Sequence, residues 1–297
     1  MQWQLGLESH RLATGITAPG IMKMAGLAVS DLRRGISILQ ANASDPPADV
    51  PAPAGFGLPY GLARLSDGRL LTADRSQSRI IACAEDGTNW ESFGSQGAGV
   101  GQFQNPMGVA VSDEGRIFVA DTGNFRIVAM DGFDGTGWQA YGQKIAAGSV
   151  GPGRFAGPVC IQHGPGGLVV ADPAAARIVQ LAQLDDAHWD VSSQGTFQNP
   201  AAVAVLPDGT IIVGDLAREG LSIMASPSGG ITETILGDVL RYPAALAVTG
   251  ADTLAAFFVP TLALCSVVRD ASGWNVSLNV RLDQVGIRRP TALCQLP

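Results

Sequence analysis

One segment of this chain keeps returning, and that recurrence constrains the fold more than any other feature. "NPMGVAVSDEGRIFVAD", from Asn105 to Asp121, has relatives in "PYGLARLSDGRLLTAD" from Pro59, "PVCIQHGPGGLVVAD" from Pro158, "PAAVAVLPDGTIIVGD" from Pro200 and "PAALAVTGADTLAAFF" from Pro243. Each copy holds an apolar strand, a tight turn usually built on Gly, a second apolar strand and usually an Asp. A third strand follows ("RIIACA", "RIVAMD", "RIVQLA", "LSIMAS"), and then often a Trp-led fourth ("WESFG", "WQAYG", "WDVSS", "WNVSL"). Alternating apolar runs bounded by Gly, Pro and Asp are strands rather than helices.

Four strands per repeat of about 45 residues is the pattern of a β-propeller blade. The links between copies recur too, as "GQFQNP", "GRFAGP" and "GTFQNP". Their aromatic residues (Phe103, Phe155, Phe197) are expected to wedge between neighbouring blades. Each proline can open an inner strand, where a missing N–H is tolerated. The ends of the chain complete the pattern. "PTALCQLP" from Pro290 reads as an inner strand, and "GLAVSDLRRGISILQ" (residues 26–40) reads as a second and third strand.

The expectation is therefore an all-β protein, a six-bladed propeller of four-stranded antiparallel blades. Its ring is closed by the C-terminal inner strand together with N-terminal outer strands. Residues 1–20 form an N-terminal extension and 21–297 a single propeller, with repeats starting near 59, 106, 158, 200 and 243 and a closing blade from 290–297 and 21–58. "APGIMKM" at Ala18 is an alternative inner strand. Closure removes the long unpaired edges that make open sheets aggregate.

The composition suits this plan. The chain has 297 residues, 46% hydrophobic and 15% charged, with 38 Gly at intervals that mark turns. A formal charge of −7 and a pI near 4.9 argue against nucleic acid as a partner. Cys83, Cys160, Cys265 and Cys294 show no metal-binding spacing and read as free thiols. No uninterrupted apolar run is long enough to span a bilayer. "MQWQLGLESHRLATG" lacks a basic region followed by an apolar run, so a cytoplasmic protein without a secretory signal is expected, whether free or part of a larger particle.

The linker "GQFQNPMGVAV" followed by "IFVADTGNFRI" resembles the NHL repeat, most closely in the copy starting at Pro106. That resemblance implies a six-bladed propeller of a kind mostly used as a binding scaffold, with a minority of related six-bladed propellers acting as lactonases, esterases or lyases.

Repetition separates architecture from chemistry, because a catalytic residue is needed once and a blade-building residue in every blade. Asp121 recurs as Asp31, Asp74, Asp172 and Asp215. Arg126 recurs as Arg79 and Arg177, five residues after its Asp. These are read as structural, the Asp accepting from the N–H groups of the turn that follows it and the Arg pairing with a carboxylate. The run "GSQGAGVGQF" is not a phosphate loop, since it neither follows a parallel strand nor opens a helix. His10, His163 and His188 fall at unrelated strand positions, so no zinc site is expected. Asn105 and Asn199 belong to the repeated linker rather than to a calcium site, and "G-x-S-x-G" is absent. Neither a cofactor nor a metal is expected.

Strand order places the linkers and the second-to-third turns on one face, here the upper. This face collects arginines, while Asp and Glu crowd the lower turns. The unrepeated residues are the candidates for binding: Tyr60, Arg241 with Tyr242, Arg288 with Arg289, and Phe257 with Phe258 of "LAAFFVPTLAL", where the last full repeat drops its Asp. Tyr and Arg are enriched in interface hot spots, and exposed apolar turns mark contacts. The function expected is a non-catalytic scaffold for a protein partner. The alternative is a lactonase-like hydrolase or lyase of small molecules at the channel mouth.

Overall fold

The computed structural model describes residues 27–31, 35–39, 48–51, 55–145, 151–235, 242–258, 263–281 and 290–295. They form six four-stranded antiparallel blades. Blade 1 comprises Pro59–Arg64, Leu70–Asp74, Arg79–Cys83 and Glu91–Phe93. Blade 2 comprises Val109–Val111, Ile117–Asp121, Arg126–Met130 and Gln139–Tyr141. Blade 3 comprises Cys160–Gly164, Gly167–Asp172, Arg177–Leu181 and Trp189–Val191. Blade 4 comprises Pro200–Val205, Ile211–Asp215, Leu221–Met224 and Glu233–Ile235. Blade 5 is the longest, with Pro243–Gly250, Thr253–Phe258, Ala263–Asp270 and Gly273–Arg281. In blade 6 the strand Pro290–Gln295 pairs with Leu27–Asp31, followed outward by Gly35–Leu39 and Ala48–Val50.

The first strands of consecutive blades adjoin one another around the axis, and that of blade 6 lies beside that of blade 1. They approach closely because small residues face the neighbour. A β-carbon at Gly61 would sit 2.5 Å from the Met107 carbonyl oxygen, and one at Gly108 would sit 2.8 Å from that of Val159. In blades 2 and 3 the regular inner strand begins after the proline, at Val109 and Cys160.

Second and third strands are buried on both faces, since each blade is covered by a neighbour on either side. Phe103 joins the cluster between blades 1 and 2, Phe155 that between 2 and 3, and Phe197 that between 3 and 4. All three are fully buried, and each contributes about 1.5–3 kcal/mol by leaving water. Gly94 and Gly142 make room for two of them, as a β-carbon there would lie under 3 Å from the Phe103 and Phe155 rings. Phe56, three residues before Pro59, packs on the cluster between blades 6 and 1 and meets Trp90 edge-on at 5.3 Å. It is a fourth member of the wedge series, hidden in sequence by its divergent linker "GFGLP".

Candidate functional site

In blades 1 to 4 the aspartate ending the second strand grips the incoming linker. Asp121 accepts hydrogen bonds from the Gln104 N–H at 2.6 Å and from Asn124 Nδ2 and Arg126 Nε at 2.8 Å. Arg126 in turn donates to the carbonyls of Ala98 and Gln102 at 2.7 and 2.9 Å. The carboxylate thus satisfies linker N–H groups and the guanidinium satisfies linker C=O groups, two halves of one clamp. Asp74 takes the Gly57 N–H and Arg79, which reaches the Gly55 carbonyl. Asp172 takes the N–H groups of Ala156 and Gly157 and is gripped by Arg177, which also donates to the Arg154 carbonyl. The Trp138 and Trp189 rings cover Arg126 and Arg177 at 5.8 and 5.3 Å. Asp31 occupies the matching backbone position opposite Pro290.

The main partner of these aspartates is therefore the linker entering the blade, with the following turn supplying only secondary donors such as Gln77 and Ala217. In blade 4 the arginine comes three residues after its aspartate instead of five. Arg218 lies 4.0 Å from Asp215 and donates to the Gly195 carbonyl, which completes the same clamp more loosely. Burial pushes the carboxyls of Asp121 and Asp172 above their ordinary value, against the hydrogen bonds they receive.

With the recurrent polar groups committed to the clamps, the upper mouth of the channel is left apolar. A cavity of about 320 Å³ opens there, lined by the inner strands of all six blades. Leu62, Met107, Ile161, Leu246 and Leu293 form much of its wall, with Tyr60, Gln162 and Asn199 as polar points. Among the described lining residues there is no His, Asp, Glu, Lys or Arg. Cys160 lines it too, and burial raises its thiol pKa. Among the described residues, no group of three His, Cys, Asp or Glu side chains is arranged to hold a metal ion.

The candidate binding residues divide sharply. Tyr60 lines the cavity, and the Arg75 guanidinium lies 5.4 Å from its ring centre. Tyr242 is 44% exposed two residues before Ala244 of the cavity wall. Its φ of 54° is left-handed, a conformation costing a side-chain-bearing residue about 1–2 kcal/mol. Arg241, Arg288 and Arg289 lie outside the described residues. Phe257 and Phe258 are a correction, because they form no surface patch: both are strand residues, 1% and 0% exposed. Successive strand residues point to opposite sheet faces, so Phe257 enters the cluster between blades 5 and 6 and Phe258 that between blades 4 and 5. In register, Phe258 opposite Pro243 stands where blades 1 and 4 have Asp74 and Asp215.

Residues 103–130 match the family model described as the NHL repeat. Among solved structures, a chain of a nidogen/laminin complex is similar over 91% of this chain and 97% of its own, at 18% identity and a TM-score of 0.70. Virginiamycin B lyase from Staphylococcus aureus is similar over 86% of this chain and 85% of its own, at 15% identity and a TM-score of 0.61. A catalytically inactive histidine-to-alanine variant of that lyase, with quinupristin, is similar over 88% and 86%, at 14% identity and a TM-score of 0.60. Likeness at these identities concerns the fold. No curated protein matches the chain. No helix among the described residues is long and apolar enough to cross a membrane.

Proposed function

We propose that this propeller is a non-catalytic scaffold that docks a protein partner on its upper face, including as a component of a multiprotein assembly. The observation that carries the reading is the channel mouth, an apolar cavity with Tyr60 in its wall, Tyr242 beside it, and no described acid–base pair in its lining. Tyrosine offers a large contact area at little entropic cost, which suits a hot spot better than a reaction centre. Arg241, Arg288 and Arg289, on the linkers into blades 5 and 6, are proposed to extend this surface. The neighbour from a nidogen/laminin complex is a propeller in a protein assembly, which supports the same use of the fold.

A small-molecule lyase or hydrolase is the second reading, favoured by the likeness to virginiamycin B lyase. One such neighbour is an inactive variant lacking a histidine, whereas His163 and His188 here lie away from the channel mouth, on the lower face. The discriminating experiment co-purifies the chain from its native source and compares Tyr60→Ala with Tyr242→Ala, and Arg288→Glu with Arg289→Glu. The scaffold reading expects a stoichiometric protein partner that is weakened by both pairs while melting temperature holds. Turnover of esters, lactones or quinupristin, abolished by the tyrosine pair, would replace it with the enzyme reading.

A further inference from the structure

Among the described residues only three large hydrophobic side chains are exposed: Leu58 at 39%, Val100 at 80% and Tyr242 at 44%. All three lie on linkers between blades, which strand order places on the upper face. Leu58 and Tyr242 also hold the same station. Each is the residue before the proline that opens an inner strand, in blades 1 and 5, on either side of blade 6. Blades 2, 3 and 4 put Asn105, Gly157 and Asn199 there. Asn105 and Tyr242 share a left-handed backbone, with φ of 46° and 54°. Asn adopts that conformation readily and Tyr does not, so blade 5 carries an aromatic ring where the backbone favours Asn. The rim of the mouth is therefore sided, apolar at blades 1 and 5 and polar or bare at blades 2 to 4.

The residues after the same prolines line the cavity: Tyr60, Met107, Val159, Ala201 and Ala244. Alanines on blades 4 and 5 leave room where Tyr60 and Met107 take it on blades 1 and 2. The volume of about 320 Å³ holds a whole Leu, Phe or Trp side chain.

Charge on this face is one-sided as well. The clamp carboxylates Asp74, Asp121, Asp172 and Asp215 are buried, while Arg79 and Arg218 stay 25% and 35% exposed. Arg75 donates its backbone N–H to the Leu58 carbonyl at 3.1 Å and lays its guanidinium on the Tyr60 ring, so the three form one cluster. Lys144 rests on Phe125 in the same way, 5.1 Å from the ring centre. Among the described residues, neither Arg75 nor Lys144 has a carboxylate within ion-pair distance. Of the other side chains described on these turns only Glu219, on blade 4, is a carboxylate, and it is already engaged. Exposed cations around an apolar mouth, with the acids buried, suit a partner that brings an apolar side chain and a negative charge together. A second copy of this chain does not bring both. Its lower face is acidic but, among the described residues, exposes no large hydrophobic side chain, and its upper face is cationic.

Resting on the scaffold reading, we propose that the partner docks through a segment carrying a large apolar side chain, which enters the channel mouth between Leu58 and Tyr242, and an adjacent carboxylate, which pairs with Arg75. A guanidinium lying on an aromatic face keeps the N–H donors at its edge free for a carboxylate.

The test selects a random peptide library displayed on phage against the full chain, then measures synthetic copies of the enriched peptides by calorimetry. Enriched sequences carry Leu, Phe or Trp next to Asp or Glu. Arg75→Gln weakens such a peptide about tenfold, as expected for one charge-assisted contact, and leaves its Asn or Gln counterpart unaffected. Leu58→Asn with Tyr242→Asn gives blades 1 and 5 the residue of blades 2 and 4. It weakens the peptide by about tenfold or more while the melting temperature holds, since Asn suits the left-handed backbone. No enrichment, enrichment of basic or acid-free sequences, or unchanged peptide binding in these variants overturns the proposal. So does self-association of the chain, or binding to phosphatidylserine vesicles, that the variants abolish in place of peptide binding. A native partner that co-purifies unchanged with the variants leaves the scaffold reading standing and overturns this one. Turnover of a small molecule with no partner recovered overturns both.

Discussion

Blades 2 and 5 solve one position in opposite ways. Where the second strand ends, blade 2 places Asp121, buried and tied to a guanidinium and two further donors, and blade 5 places Phe258, buried among Leu246, Leu254 and Cys265. The location dictates burial in both cases, because neighbouring blades cover it. It does not dictate polarity, which depends on whether partners are supplied. A buried carboxylate survives only with its donors, whereas a buried phenyl ring needs only shape.

The sharpest way to break this comparison is Phe258→Asp, which puts a carboxylate among apolar neighbours without a clamp arginine. It should cost on the order of 5 kcal/mol, the upper range for an uncompensated buried charge, read as loss of a cooperative transition or a large fall in urea midpoint. Phe103→Ala, which empties the wedge between blades 1 and 2, should cost about 3–5 kcal/mol by the same measurement. Asp121→Ala strands Arg126 and the Gln104 N–H and should cost about 3 kcal/mol. Arg218→Met tests the loosest clamp, and at 4.0 Å and 35% exposure it should cost about 0–1 kcal/mol.

The smallest effect is the most diagnostic, since two aspartates should respond to pH with opposite signs. Burial holds Asp121 above its ordinary value, so its stabilising share is complete in acid and is lost as pH rises through the raised folded value. On the lower face a modest burial cost is outweighed at Asp208 by the Thr210 N–H and Arg269, which hold it below its ordinary value. Its share is present above the unfolded value of about 4 and is lost as pH falls through the folded one. The stability gap between wild type and Asp121→Asn should therefore shrink as pH rises, and the gap for Asp208→Asn should widen. Gaps moving in the same direction in denaturant titrations at several pH values would dissolve the distinction between the faces.

The lower-face carboxylates have a local use as well. Asp67, Asp86, Asp134, Asp185, Asp208 and Asp270 each accept the N–H two residues on and set a hairpin turn. This was implicit in the recurring turn residues. The candidate site was less legible. Tyr60 and Tyr242 stand out because they break the repeat, but the same logic selected Phe257 and Phe258, which are core. A departure from a repeat marks a difference without saying whether it faces solvent or a neighbouring blade. Arg218 is not legible as a clamp residue because both its spacing from the aspartate and the carbonyl it serves are shifted. It donates to Gly195, two residues before Phe197, whereas in blades 1 to 3 the arginine reaches the residue immediately before the phenylalanine.

Each blade has to solve the same local problem, so the sequence by itself determined the blade plan, the strand alternation and the recurring Asp and Phe. Burial of Phe258 and the reach of Arg218 were decided only in the tertiary structure. They depend on groups from the next blade or linker, some 20 to 60 residues away along the chain, meeting across a sheet face that no local pattern encodes.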